Sequence, residues 1–486
     1  LILLIIYLLS LGIGFHLGTI LVFGGIFLTI LMVKEKSFSN FEFLVITFGM
    51  AVILADMTLH RNTTLTLVGF GIFGVLLIWT SVSEGKFALT ASLLFLLGLS
   101  VHLFMFIRSF HDPAIDMVDP QNWDAMYAHL RREQYPPINV FARKASPLFQ
   151  IQHFWNYFTE QFRLFGDVRL GALNLGVASV IVPLTLGIWG IVANFLREKK
   201  TWVLNFTVLL LNSAGLIIFL NFSDSEVRER DYFYGAAFFY FSVFIGIGAA
   251  SLLALVIDEV KAKSRDALKW AAMAAAVLVI LAILPARYQW FSHDRSEDHI
   301  PRDYAYNILA GLEPDAIIFT NGDNDTYPLW YIQMVEGFRP DVNIANLQLL
   351  NTDWYIKQLR DRKPPVPISL TDDEIRRVRP MALKGGGVAW KKDLLIQHII
   401  QEAGWKRPVY FAVTVPLEAW QPYSDNLEMQ GMVRKLVTTR QKYQTNEFLL
   451  RRNFEEIFEF RGILDADGKR DESSYKSQYT QGMFQN

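Results

Sequence analysis

Residues 222–235 read Phe-Ser-Asp-Ser-Glu-Val-Arg-Glu-Arg-Asp-Tyr-Phe-Tyr-Gly, and long apolar runs flank them on both sides, 201–221 and 232–257. The charged positions are Asp224, Glu226, Arg228, Glu229, Arg230 and Asp231. Charge between two hydrophobic spans is costly near lipid, so such a connection lines a polar cavity or faces water. Two readings are open. Arg228 and Arg230, with Asp231 and the separate Arg108, form an anion site, because a guanidinium fork bonds two phosphate oxygens at once. Alternatively the charges pair among themselves in a solvated loop and contribute little. A proton acceptor would come from Asp112, Asp116, Asp119, Glu229 or Asp231, and the sequence does not choose among them.

A second cluster, Asn321-Gly322-Asp323-Asn324-Asp325, follows a strand-like run, Asp315–Thr320, and precedes a helical one. Ligands favour the carboxyl ends of strands in open α/β sheets. Asp323, Asn324 and Asp325 offer oxygens to a hard divalent cation or to sugar hydroxyls. The structural alternative makes Asp325 a helix cap and Gly322 the turn residue. The spacing is not that of a calcium loop. No glycine-rich phosphate loop, paired-histidine zinc motif or nucleophile elbow is present, and zero cysteines exclude disulfides and thiolate metal sites. A divalent cation is therefore a candidate cofactor without a fixed site. His16 reads as a membrane-buried histidine bonded to a neighbouring helix. Trp330, Tyr331, Trp354 and Tyr355 read as core rather than as a stacking platform.

The elements that must position these groups are mostly apolar. The 486 residues are 52% hydrophobic and 19% charged, too apolar for an ordinary soluble protein, and a net charge of −1 gives no reason to expect nucleic acid. A span needs about 20 mostly apolar residues. Segments at 1–12, 15–33, 42–58, 64–82, 87–107, 172–196, 201–221, 233–257 and 267–285 predict nine spans, the first truncated. The expected organisation is transmembrane helices over 1–107, an outer loop over 108–170, more spans over 171–286, an outward-facing α/β domain over 287–463 and a polar tail over 464–486. Within 148–165, Ile151, Phe154, Trp155, Phe158, Phe162 and Phe165 recur every three or four residues among polar positions. That pattern predicts an amphipathic helix in the outer interface, or one packed on the C-terminal domain.

Alternate loops place Lys34, Lys36, Lys86, Arg197, Lys199, Lys200, Lys261, Lys263, Arg265 and Lys269 on one side, and Arg61, Arg228 and Arg230 on the other. The richer side is cytoplasmic, so the 222–235 loop, the 108–170 segment and the C-terminal domain face outward. In that domain, strands at 315–320 and 342–347 around a helix at 326–337 form a parallel βαβ unit, with a third strand at 408–415 after a helix at 391–403.

Several segments together resemble a known family. They are Gly-Ile-Gly-Phe-His16-Leu, Asp119-Pro-Gln-Asn-Trp123 with Arg132-Glu-Gln-Tyr135, and Arg228-Glu-Arg-Asp-Tyr-Phe-Tyr234. Asn321-Gly-Asp-Asn-Asp-Thr-Tyr-Pro-Leu-Trp330, Arg339-Pro-Asp-Val342 and Trp405-Lys-Arg-Pro-Val-Tyr-Phe-Ala412 follow in order. The chain resembles the bacterial multi-span family, long labelled a domain of unknown function and now described as protein O-mannosyltransferase-like. The resemblance implies a C-type membrane glycosyltransferase of the bacterial inner membrane. It further implies a polyprenyl-phosphate-linked sugar as donor, Ser or Thr of an acceptor protein as target, and membrane lipid as surroundings.

The family's presumed catalytic acid lies in a first outer loop near the N-terminus. This chain opens at Leu1 inside an apolar run, so it reads as a fragment lacking that loop and inactive alone, and no residue here is assigned as the catalytic base. The competing expectation is a non-catalytic membrane-anchored module that binds a glycan or an envelope protein. A transporter ranks last, since Asp56 and His16 are the few ionisable residues near span positions.

Overall fold

The computed structural model describes residues 2–15, 19, 21–22, 25–26, 29, 63–83, 86–134, 142–166, 168–171, 173–224, 230–263, 266–294, 296, 298–382, 387–440, 444–464 and 467. The chain divides into two compact units, one of Leu1–Ile107 with Tyr127–Phe291 and the other of Arg108–Met126 with Ser292–Asn486.

The first unit is helical. Among the described residues four helices are long and apolar enough to cross a membrane: Leu175–Arg197, Lys199–Leu220, Asp231–Glu259 and Lys269–Trp290. A fifth exists if Leu89–Leu99 and His102–Ser109, bent by 43°, form one broken span. The expected count of nine is not supported. The expected 87–107 span breaks at Ser100–Val101, and the segment at 42–58, most of 15–33, His16 and Asp56 lie outside the described residues. The break expected between the segments 1–12 and 15–33 does not fall at residues 13–14, because the helix Ile2–Phe15 runs through them. The glycines there serve close packing: a Cβ on Gly14 would meet Val101 Cγ1 at 2.2 Å, and one on Gly98 would meet Ser10 Oγ at 1.9 Å.

The same device joins two spans. A Cβ on Gly190 would lie 1.8 Å from the Phe244 carbonyl, and one on Gly248 would lie 2.0 Å from the Leu186 carbonyl. Small residues let membrane helices approach to backbone contact, where dispersion replaces the missing hydrophobic drive. The amphipathic helix forms over Pro147–Phe162, with Ser146 Oγ accepting from the Phe149 N–H at 3.2 Å and proline at its first position. Its Phe158 and Phe162 are buried with Val180, Leu216, Tyr234, Phe238 and Phe241. Phe154, Phe158 and Phe162 thus pack within their own unit, while Ile151, Trp155 and Phe165 are exposed.

The second unit is an α/β domain. Its elements are α1 (Ile300–Ala310), β1 (Ile317–Thr320), α2 (Asp323–Met334), β2 (Asn343–Asn346), α3 (Asp353–Asp361), α4 (Lys391–Ala403), β3 (Val409–Ala412), β4 (Leu427–Met429), β5 (Val433–Leu436) and β6 (Gln444–Thr445). The sheet order is β6-β4-β5-β3-β1-β2. β1 pairs in parallel with β2 (Ile317 opposite Asn343) and with β3 (Ile317 opposite Val409), while β5 runs antiparallel to β3 and β4. Strands β1, β2 and β3 are buried at every position, as expected of strands covered on both faces. The βαβ unit and third strand fall where the sequence placed them. Strands β4 to β6, of two to four residues, turn the parallel core into a mixed sheet.

The glycine crossing yields the first prediction. Gly190→Leu forces two backbones apart and lowers stability by more than about 2 kcal/mol. Gly246→Ala, with nothing within 4 Å of the added carbon, leaves it unchanged. Thermal melting of the detergent-solubilised protein checks both.

Candidate functional site

The span Lys199–Leu220 ends at Asn221, whose backbone is left-handed (φ 49°) and whose side chain is buried. Its Nδ2 donates to the Ala142 carbonyl at 2.8 Å, and its Oδ1 accepts from the Lys144 N–H at 3.0 Å and from Gln150 Nε2 at 3.1 Å. Gln150 Nε2 also donates to the Phe222 carbonyl at 2.7 Å. A helix end leaves its last carbonyls without intrahelical donors, and Arg143 supplies two, Nη1 to Ile218 at 2.8 Å and Nη2 to Ile217 at 3.3 Å. The start of the 222–235 loop is thereby tied to residues 142–150.

The far end of the loop is held by the same amphipathic helix. The Arg230 N–H donates to Tyr157 Oη at 2.9 Å, and Arg230 Nη1 donates to Tyr232 Oη at 3.3 Å. Between the two anchors lies the His153 ring, 4.6 Å from the Tyr157 ring centre and 5.9 Å from that of Phe222. His153 Nε2 is buried with no hydrogen-bond partner among the described residues. Asp231 is exposed and opens the 3-10 turn Asp231–Tyr234. Arg228, Glu226 and Glu229 lie outside the described residues. The amphipathic pattern over 148–165 left Gln150 among its polar positions and singled out neither His153 nor Tyr157. Their spacing of three and four residues puts 150, 153 and 157 on one face, a signal that was available.

Arg108 is exposed in the helix His102–Ser109 and belongs to the second unit. Just beyond it, left-handed residues Asp112 (φ 43°), Val118 (φ 73°) and Asp119 (φ 50°) fold the chain back on itself. Ser109 Oγ donates to Asp116 Oδ2 at 2.5 Å and lies 3.5 Å from Asp119 Oδ1. Burial pushes the Asp116 carboxyl above its ordinary range; the Ser109 hydroxyl opposes this, and the charges of Asp119 and Asp112 add to it. Burial separates Asp116 from its two neighbours, since Asp112 is exposed and Asp119 half-buried.

The sheet-end cluster is the first turn of α2 rather than a free turn, with Gly322 as its N-cap residue. Asp323 and Asn324 are exposed, while Asp325 is buried. Asp325 Oδ2 accepts from the Asn321 N–H at 2.7 Å and from Thr414 Oγ1 at 2.5 Å, and Oδ1 accepts from the Gly322 N–H at 2.9 Å. Thr414 follows β3, so this carboxylate closes the gap between the carboxyl ends of β1 and β3, where the crossover direction reverses. Among the described residues no group of three or more His, Asp or Glu is arranged to hold a metal ion.

Two other motif arginines also serve the backbone. Arg339 donates through Nη1 to the carbonyls of Leu309 and Leu312, at 2.8 and 2.7 Å, and through Nη2 to that of Glu313 at 2.8 Å. Its Nε and Nη2 both reach Asp341 at 2.9 Å. Arg407 donates to the carbonyls of Asp315 and Pro365, at 2.8 and 2.6 Å, and to Asn343 Oδ1 at 2.5 Å.

Two predictions follow from these contacts. Asp325→Ala strands two backbone donors and the Thr414 hydroxyl, and lowers the domain's stability by about 2–4 kcal/mol. Denaturant titration followed by hydrogen exchange over 301–346 measures it. The Arg339 guanidinium holds the Asp341 carboxyl down at about 2. Because the folded value lies below the unfolded one, this pairing stabilises fully above about pH 4 and its contribution fades as pH falls toward 2. Asp341→Asn is therefore less stable than the parent at pH 7, and the difference narrows as pH falls toward 2 and vanishes below it.

Comparison with known proteins bears on the same domain. Residues 301–384 and 378–452 match the family model of TMEM260-associated domain 2, a stretch that carries all six strands of the sheet. Over 129 residues the chain is 27% identical to "Protein O-mannosyl-transferase TMEM260" of Mus musculus, covering 26% of this chain and 17% of that protein. Over 79 residues it is 23% identical to "Protein O-mannosyl-transferase tmem260" of Dictyostelium discoideum, covering 16% of this chain and 10% of that protein. The chain thus spans less than a fifth of the length of these curated relatives. No solved structure matches it. The similarities support the protein O-mannosyltransferase-like resemblance carried by the sequence motifs.

Proposed function

We propose that the chain works in a membrane glycosyltransferase of the protein O-mannosyltransferase kind. In this reading the 222–235 loop holds the phosphate of a polyprenyl-phosphate-linked sugar, and the sugar passes to Ser or Thr of an acceptor protein on the outer face. The membrane is the bacterial inner membrane in the reading drawn from the family resemblance. The observation that carries the proposal is the anchoring of the Arg230 backbone N–H by Tyr157 Oη at 2.9 Å, with its guanidinium on Tyr232 Oη at 3.3 Å, at the polar end of two apolar spans. Two similarities to protein O-mannosyl-transferases stand beside it.

Charge placement supports the orientation. Across the four described spans, Arg197, Lys199, Lys200, Lys261, Lys263, Arg265 and Lys269 fall in the first and third connections, and Arg228 and Arg230 in the second. The basic excess favours a cytoplasmic side for those connections, which supports an outward-facing 222–235 loop. When the glycosidic C–O bond breaks, the departing polyprenyl phosphate gains negative charge. An arginine held beforehand, as Arg230 is, therefore stabilises the transition state more than the bound donor. Asp116 has the environment of a proton acceptor, and no residue is assigned that role.

In the full-length protein reconstituted with polyprenyl-phosphate-linked radiolabelled mannose, Arg230→Ala and Arg228→Ala each reduce transfer at least about 100-fold. Their melting temperatures stay at the parent value. Tyr157→Phe, which removes the anchor of Arg230 but no charge, gives a smaller loss. Parent rates in both arginine variants contradict the donor-site assignment.

A further inference from the structure

Two clefts in the α/β domain compare informatively. The larger, about 620 Å³, lies where β1 and β3 begin, and all of its charged side chains except Lys406 are engaged. Glu313 pairs with Lys435, Glu428 accepts from Gln430 Nε2 at 2.6 Å and Asn446 Nδ2 at 3.0 Å, and Arg407 serves three acceptors. The smaller, about 460 Å³, lies just past the carboxyl end of β2 and is lined by Gln348, Asn351, Arg379, Trp390 and Lys391, among others. Here the opposite holds. Arg379 and the Gln348 carboxamide have no hydrogen-bond or ion-pair partner among the described residues, and the Trp390 ring is 53% exposed without a ring contact.

The other groups in the smaller cleft make its wall rigid. Lys391, only 4% exposed, donates through Nζ to Asp353 Oδ1 at 2.5 Å and to the Ile375 carbonyl at 2.6 Å. Asn351 Oδ1 accepts the Lys392 N–H at 3.1 Å. What remains available is an open indole face, a planar amide and a cation.

We propose that this cleft binds a saccharide bearing an acidic group. The apolar face of a pyranose ring stacks on Trp390. Its hydroxyls exchange hydrogen bonds with the Gln348 amide, and its carboxylate or phosphate lies on the Arg379 fork. The volume is that of a small-molecule site, and the place, outside the carboxyl end of a parallel strand, is where open α/β sheets take ligands. The site is independent of sugar transfer by the 222–235 loop and stands or falls separately.

Titration calorimetry of the full chain in detergent tests it with four probes: glucose 6-phosphate, glucuronate, methyl α-glucopyranoside and inorganic phosphate. At least one acidic sugar binds about tenfold or more tightly than the neutral glucoside and than inorganic phosphate. Arg379→Gln removes that preference, and Arg379→Lys restores part of it. Trp390→Ala weakens the sugars about fivefold or more while leaving inorganic phosphate unaffected. Unchanged melting temperatures exclude unfolding as the cause. Equal binding of phosphate and sugar phosphate, an acidic preference that survives Arg379→Gln, or no saturation by any probe overturns the proposal.

Discussion

A helix that stops at the edge of an apolar layer leaves backbone carbonyls in need of donors, and where the surroundings are lipid that need is severe. At the end of Lys199–Leu220 the donors come from residues more than seventy positions earlier in the chain. Arg143 reaches two of the last carbonyls, and Asn221 closes the turn with three bonds from its carboxamide. The loop that follows inherits its starting point from these bonds, and Tyr157 fixes its far end. The donor-holding proposal rests on this arrangement, because an arginine helps a transition state only if it is in place before charge develops.

The α/β domain uses the same economy with opposite charges. Asp325 collects backbone N–H groups where β1 ends, while Arg339 and Arg407 collect carbonyls around the loops that enter β1. Each lies in a segment that carries the family resemblance. These residues hold the sheet's connections together, and the cleft with unengaged groups lies elsewhere, between Gln348, Arg379 and Trp390.

Much of the fold was legible in the sequence, and the reasons for the exceptions are physical. The βαβ unit was readable because Ile317–Thr320 and Asn343–Asn346 are short buried runs separated by one helix. Strands β4 to β6 were not, since they are short and, unlike the fully buried β1 to β3, carry charged or polar residues such as Glu428, Arg434 and Lys435. The break expected between the segments 1–12 and 15–33 failed at residues 13–14 because a glycine signals close helix contact as readily as a break, and only the partner helix reveals which. At the candidate site, Arg230 and Asp231 were visible as charge between apolar runs. Asn221 was not, because its role depends on a left-handed backbone and on partners distant in sequence. Asp116 could not be told from Asp112 and Asp119 until burial distinguished them.

The central claim is transfer of a sugar from a lipid-phosphate donor. Its most direct test gives the full-length protein in vesicles a mixture of Ser- and Thr-containing peptides and mannose in two isotopic forms. One form is linked to polyprenyl phosphate and the other to a nucleotide diphosphate. Mass spectrometry of the peptides then reads which isotope is attached. The account predicts O-linked mannose carrying the lipid-donor isotope, with polyprenyl phosphate released in equal amount. Mannose carrying the nucleotide-donor isotope, or donor bound to the vesicles with no modified peptide, would contradict it.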